Sequence, residues 1–252
     1  MGVNNSRIIG LPMYEYRTEV ARGNVAGQKT LYKFGFNDDV DGTEEAIWMA
    51  GGAYNFPSDA AVLRVFSAAV EDDDGSTGAR VITIEGLDAN YNEVSIDHTM
   101  DGTTAVNTTQ IFTRVNRAFV KTTGSLNHNK GVISIQHQGT GTYTLATIAE
   151  EMSQTQQAIY TVPNGKTLYI DDINFTSVMS LANKRAQVRV VISDFGGAER
   201  TRYINVLQSS QLISKFEYPF KVLEKSDICL KAVTDTTNNE IAGSFQGILI
   251  DN

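Results

Sequence analysis

Ala186-Gln187-Val188-Arg189-Val190-Val191-Ile192-Ser193 is the most regular stretch of this chain. Ala186, Val188, Val190 and Ile192 fall at every second position, with Gln187, Arg189 and Ser193 between them. In an extended backbone the first set shares one face and the second set the opposite face. A helix would scatter the same residues around its circumference, so the octet predicts a half-buried β-strand. Its flanks read the same way, with further strand-like runs at 157–162, 167–178, 199–208, 215–223, 227–234 and 240–250. Strands recurring about every ten residues, with turn residues and no helical stretch between them, point to a sandwich or jelly roll rather than a parallel α/β sheet. Ile170, Ile173, Phe175, Val188, Val190, Ile192, Phe245 and Ile248 are its expected core, each contributing roughly 1.5 to 3 kcal/mol when fully buried.

Upstream, Val62-Leu63-Arg64-Val65-Phe66-Ser67 and Arg80-Val81-Ile82-Thr83-Ile84-Glu85-Gly86 concentrate β-branched and aromatic residues, and Gly75 to Gly78 between them supplies a turn, as in a hairpin. Val94, Ile96, His98 and Met100 share one strand face, and Asp101-Gly102 ends that strand as a turn dipeptide. Residues 109–121 and 131–138 continue the series up to Gly139-Thr140-Gly141. Residues 147–157, with Ile148 and Met152 four apart, form the one stretch suited to a helical turn or two, and read as an interdomain connection.

Residues 1–33 differ. Ile8-Ile9-Gly10-Leu11-Pro12-Met13-Tyr14 is apolar, while Arg17 to Lys29 is polar and glycine-punctuated, without a stable period. This reads as an extended N-terminal arm. Its apolar patch suits strand addition at a neighbour's sheet edge, which makes Ile8, Ile9, Leu11, Tyr14 and Tyr16 the candidate interface residues. The expected organisation is all-β: an arm over 1–33, a β-sandwich domain over 34–148 and a jelly-roll-like β-sandwich domain over 149–252. A chain of 252 residues suits two such cores.

Composition narrows the function. The hydrophobic fraction of 41% is that of a folded globular protein. No apolar run is long enough to cross a membrane as a helix, and the Met1 to Asn5 start has no signal-peptide character. A net charge of −8, from 29 acidic and 21 basic residues, repels a phosphate backbone. Direct nucleic-acid binding is therefore not expected. The lone Cys229 leaves no intrachain disulfide, in keeping with folding in a reducing cytoplasm.

Catalytic and ligand motifs are weak. No Gly-x-Ser-x-Gly occurs. Gly165-Lys166-Thr167 imitates the tail of a phosphate loop, but Tyr160 stands where its first glycine belongs. Gly139-Thr140-Gly141 lacks the last glycine of a dinucleotide fingerprint, Thr144 taking its place, and reads as a turn. His98, His128 and His137 have no paired spacing for zinc, so no metal or cofactor is expected. Glu71-Asp72-Asp73-Asp74-Gly75 lacks the alternate ligand spacing of a calcium loop and reads as a solvated hairpin loop. Trp48, Tyr54 and Phe56 around Gly51-Gly52 read either as a core plug or as a sugar-stacking platform. A glycosidase carboxylate pair leaves no local trace, so that activity stays open at this level.

Gly35-Phe36-Asn37-Asp38-Asp39-Val40-Asp41, Gly51-Gly52-Ala53-Tyr54-Asn55-Phe56-Pro57 and Gly86-Leu87-Asp88-Ala89-Asn90-Tyr91-Asn92-Glu93 resemble segments of tailed-bacteriophage virion structural proteins. So do Asp101 to Val106, Arg114 to Ala118, Ile159 to Thr167, and Lys225 to Ile228 through Asp251. These proteins form a loosely defined capsid-decoration or tail-associated group. The resemblance implies a non-enzymatic virion component, assembled in the bacterial host cytoplasm, with no catalytic residues to carry over. A fibre needs a repeated stacking unit, which is not visible here. Two β domains with an apolar arm suit a capsid decoration or cement protein over joints between major capsid subunits. Its expected partners are the major capsid protein and copies of itself, in a homo-trimer or other small symmetric oligomer. A tail, neck adaptor or head-fibre and receptor-binding component is the alternative.

Overall fold

A computed structural model describes residues 13–252 of the chain. Helix α1 (Met13–Ala21) is followed by β1 (Gln28–Val40) and the short β2 (Glu45–Ala46). Seven strands come next: β3 (Ala61–Ser67), β4 (Ala79–Leu87), β5 (Glu93–Thr99), β6 (Val106–Phe112), β7 (Arg114–Thr123), β8 (Ile133–His137) and β9 (Tyr143–Ile148). The chain then runs through β10 (Ile159–Thr161), β11 (Lys166–Val178), β12 (Ala186–Ser193), β13 (Glu199–Leu207), β14 (Gln211–Val222), β15 (Asp227–Thr234) and β16 (Asn239–Asp251). The fold is all-β apart from α1, and every strand pairing is antiparallel.

Four sheets make two sandwiches. One sheet runs β1-β16-β11-β14 and faces a second that runs β10-β15-β12-β13, with β2 added on β15. Taking β1 and β10–β16 as eight successive strands, the first sheet has the order 1-8-3-6 and the second 2-7-4-5. That is the double Greek-key wiring of a jelly roll. A single core joins the two sheets, with Ile170, Phe175 and Phe245 from one meeting Val188, Val190, Ile192 and Ile228 from the other. The remaining strands form a separate sandwich, β6-β3-β8-β9 on β5-β4-β7, around Leu63, Ile82, Ile84, Phe112, Ile135 and Leu145.

The expected boundary at 33/34 is corrected by β1. This strand pairs with β16 from Gln28↔Ile250 to Val40↔Asn239, so residues 28–46 belong to the jelly roll. The β3–β9 sandwich is inserted between its first and second strands. Sequence periodicity hides this because β1 is patterned backwards. Lys33, Gly35 and Asn37 point inward, while Tyr32, Phe34 and Phe36 point outward. Gly35 is required there, since a Cβ would sit 2.1 Å from the Ile47 carbonyl oxygen and 2.4 Å from the Ala158 nitrogen.

The arm expectation changes too. Residues 13–21 form the one helix among the described residues, held to the jelly roll by an Arg17–Asp171 ion pair. Residues 147–157, the expected helical turn, are the end of β9 and a turn with positive φ at Glu151 and Ser153. They do lie on one of the two connections between the sandwiches.

Three further readings shift. The 62–67 and 80–86 runs are not a hairpin, because β3 and β4 lie in opposite sheets. The 109–121 run is two strands, and the chain crosses between sheets at Thr113. There Gly86 lets the Arg114 carbonyl approach to within 2.1 Å of where a Cβ would lie. Ile248 leaves the core list: its alternate neighbours Phe245, Gly247 and Leu249 are buried, and Ile248 faces the outer side beside Arg17, Thr18 and Ala21. The other seven expected core residues are buried.

Candidate functional site

The junction between the sandwiches is rigidly built. Arg114 opens β7 and is 5% exposed. Its Nε and Nη2 each donate at 2.9 Å to the Asp227 carboxylate on β15 of the jelly roll. Nη1 donates to the Pro57 and Thr113 carbonyls, and the guanidinium lies over the Phe56 and Tyr91 rings at 5.2 and 5.5 Å. Burial works against the charge on Arg114, but the hydrogen bonds and charge of Asp227 outweigh it and raise its pKa. The Thr161 hydroxyl also donates to Asp227.

Around this pair, Asn116 exchanges two hydrogen bonds with the Thr161 backbone, at 3.0 and 2.9 Å. Gln157 donates to the Val115 carbonyl at 3.0 Å. Lys33 donates to the Asn116 carbonyl; burial first, then the nearby Arg117, lowers its pKa to about 7, with Glu85 opposing.

Trp48, Tyr54 and Phe56 are part of this junction. Trp48 is buried with Ala46, Ile159 and Cys229, and the rings meet edge to face at 5.0 and 4.8 Å. They form a core plug, and the sugar-platform reading of this cluster is set aside because Trp48 is 4% exposed. Burial also pushes the Cys229 thiol up to about 12.

The acidic run is corrected as well. Asp72 is fully buried, and its carboxylate accepts from the Ser67 hydroxyl and the Ala79, Lys130 and Gly131 amides at 2.6 to 2.9 Å. It is the hub of a loop and not a solvated charge. Alternation could not reveal it; the signal available was Gly78, where a Cβ would sit 2.3 Å from the Asp72 carboxylate. Lys166 begins β11 and pairs with Asp251 at 2.6 Å. His98 and His137 are buried sheet residues. Among the described residues no three metal-ligating side chains converge.

Ile8, Ile9 and Leu11 lie outside the described residues, as does the Tyr14 side chain. Tyr16 donates from its hydroxyl to Gln28 Oε1, tying α1 to the start of β1. The surface that sequence reading missed lies on the far edge of the jelly roll. β13 and β14 are consecutive, and each is the terminal strand of its sheet. They hold each other through a 2.9 Å bond between the Tyr203 and Ser214 hydroxyls and through ring contacts, Tyr203 meeting Phe216 edge to face and Phe216 meeting Phe220 at a tilt.

Ile204 and Val206 on the outer face of β13 and Tyr218 on β14 are 54%, 53% and 81% exposed. The edge is irregular. Arg202 is an extra residue in β13, and residues 216–219 of β14 stand opposite Asp171 alone. Bulges and an edge proline such as Pro219 are the usual guards against uncontrolled pairing.

No protein-family model and no curated protein matches the chain. Among solved structures, the chain is similar to the infectious bursal disease virus VP2 subviral particle. Identity is 10%, with 95% of this chain and 78% of that chain covered and a TM-score of 0.24. A structure of the Gx strain of infectious bursal disease virus gives 10% identity, 89% and 72% coverage, and a TM-score of 0.23. Overlap at this level carries no argument about topology or activity. The class defined by the chain's own strand order is a jelly roll carrying an inserted β-sandwich.

Proposed function

We propose that this chain is a virion structural protein working by contact, as a decoration or cement protein over joints between major capsid subunits. The observation that carries this reading is the open β13–β14 edge. Two adjacent sheet edges with unpaired backbone groups and exposed Ile204, Val206 and Tyr218 form a surface fitted to strand pairing and apolar contact. The resemblance of the sequence to tailed-phage virion proteins supports the setting, and jelly rolls recur in capsid domains, although fold alone does not assign function.

In this reading the locked junction transmits load between two rigid bodies, and many modest contacts add through multivalency. Residues 1–12, with Ile8, Ile9 and Leu11, add an apolar anchor for a neighbouring copy within a trimer or similar small oligomer. Copy number per purified particle tests the assignment. Hundreds of copies spread over the shell are expected, whereas a small ring at one vertex would replace it with a neck or tail role. Deleting residues 1–12 leaves α1 and β1 in place and is expected to reduce occupancy. Unchanged occupancy would remove the arm from the account.

A further inference from the structure

The outer face of the β1-β16-β11-β14 sheet carries a feature that the assembly reading does not use. The inverted patterning of β1 sets Tyr32, Phe34 and Phe36 in a row at every second residue, with Tyr32 and Phe34 ring centres 5.9 Å apart and planes within 27°. Across the sheet, Asn174 and Thr176 of β11 and Gln211 of β14 complete a groove of about 630 Å³. Tyr32 is 60% exposed.

In a chain with 20% charged residues and a net charge of −8, no charged side chain lines this groove among the described residues. Among the described residues, Thr176 and Gln211 have no side-chain hydrogen-bond partner. Asn174 donates one N–H to Asp172 at 3.1 Å, which fixes its carboxamide and leaves the oxygen and second N–H for a ligand.

We infer that this groove binds a neutral polysaccharide, with sugar rings stacking on the Tyr32-Phe34-Phe36 row and ring hydroxyls meeting the amides and hydroxyl of Asn174, Gln211 and Thr176. A sugar offers apolar C–H faces and a rim of hydroxyls that both donate and accept. Aromatic faces beside uncharged amides match both parts. A charged ligand would leave its charge unpaired here, a cost that a neutral glycan avoids. The groove is shallow, so affinity per site is low and gains from repetition. This is a second activity: its groove reaches β14 at Gln211 but uses none of Ile204, Val206 and Tyr218, on which the assembly reading rests.

Electrophoresis of the full-length protein through gels containing dextran, galactomannan or xyloglucan, with alginate as an anionic control, tests it. At least one neutral polymer is expected to retard the protein and alginate to leave it unretarded. Tyr32→Ala is expected to weaken the retardation constant about tenfold. Gln211→Ala, at an exposed edge position, is expected to weaken it severalfold with an unchanged melting temperature. Three results would each overturn the inference. They are no retardation by any neutral polymer, retardation equal in wild type and both variants, and a Tyr32→Ala effect confined to self-association in sedimentation.

Discussion

Arg114 and Asp227 form a two-pronged buried ion pair, 2.9 Å on each prong, although 113 positions separate them and they belong to different sandwiches. Removing one partner leaves a buried charge without its counterion, which costs on the order of 3–5 kcal/mol. Asp227→Asn and Arg114→Leu are each expected to lower the unfolding free energy, extrapolated from urea titration, by that order. The double variant should lose less than the sum of the two. Full additivity in equilibrium unfolding would show that the pair is not coupled.

Asp72 gives a second, local prediction. Its carboxylate satisfies four donors inside the β3–β9 sandwich, so Asp72→Ala strands buried amides and is expected to destabilise by roughly 3 kcal/mol or more. Asp74→Ala, two residues away in the same run, is expected to change stability by less than about 0.5 kcal/mol, as exposed positions do. Equal losses in thermal unfolding would return the whole run to the status of a solvated loop.

Lys33 predicts a pH dependence. Its amine is neutral in the folded protein above about 7, whereas in the unfolded chain it stays charged up to its ordinary value of 10.5. Between those values the unfolded chain binds the extra proton, so the Lys33 contribution to stability rises with pH across that window and is level below it. Lys33→Met removes the dependence. Its stability advantage over wild type should be largest at pH 7 and below, and shrink by about 2 kcal/mol by pH 9. A difference between the two proteins that is constant from pH 6 to pH 9 would contradict the assignment.

The edge surface is tested by Val206→Glu. The residue is half exposed on a terminal strand, so unfolding should shift by no more than about 0.5 kcal/mol. Particle occupancy, or self-association in sedimentation, should fall strongly. A variant that assembles like wild type would remove Val206 from the contact surface.

The jelly-roll strands after residue 159 were legible to within a residue or two, except β14, whose first four residues, 211–214, lay outside the expected 215–223 run. The clearest of them, β12, alternates Val188, Val190 and Ile192 on its inner face, because each sheet packs its core on one side. β1 was illegible for the opposite reason. A buried lysine, glycine and asparagine occupy its inner face, where the chain crosses at Ile47 and Ala158, and its aromatics lie outside. The two false hairpin and strand readings near Gly75 and Thr113 share a cause. A turn and a sheet-to-sheet corner use the same small and polar residues, and only long-range pairing separates them. The open edge was invisible because no local pattern records which strands end up last in a sheet.

The insertion of one sandwich inside the other has a consequence for synthesis. Gln28 pairs with Ile250, so the first strand to leave the ribosome waits for the sixteenth. All seven strands of the inserted module emerge in between and can close their own core first. Once formed, that module holds Ile47 and Ala158 side by side, as their 3.0 Å backbone hydrogen bond records. The inserted sandwich thus serves the nascent chain as a preassembled clamp, shortening the effective loop that the outer fold must close.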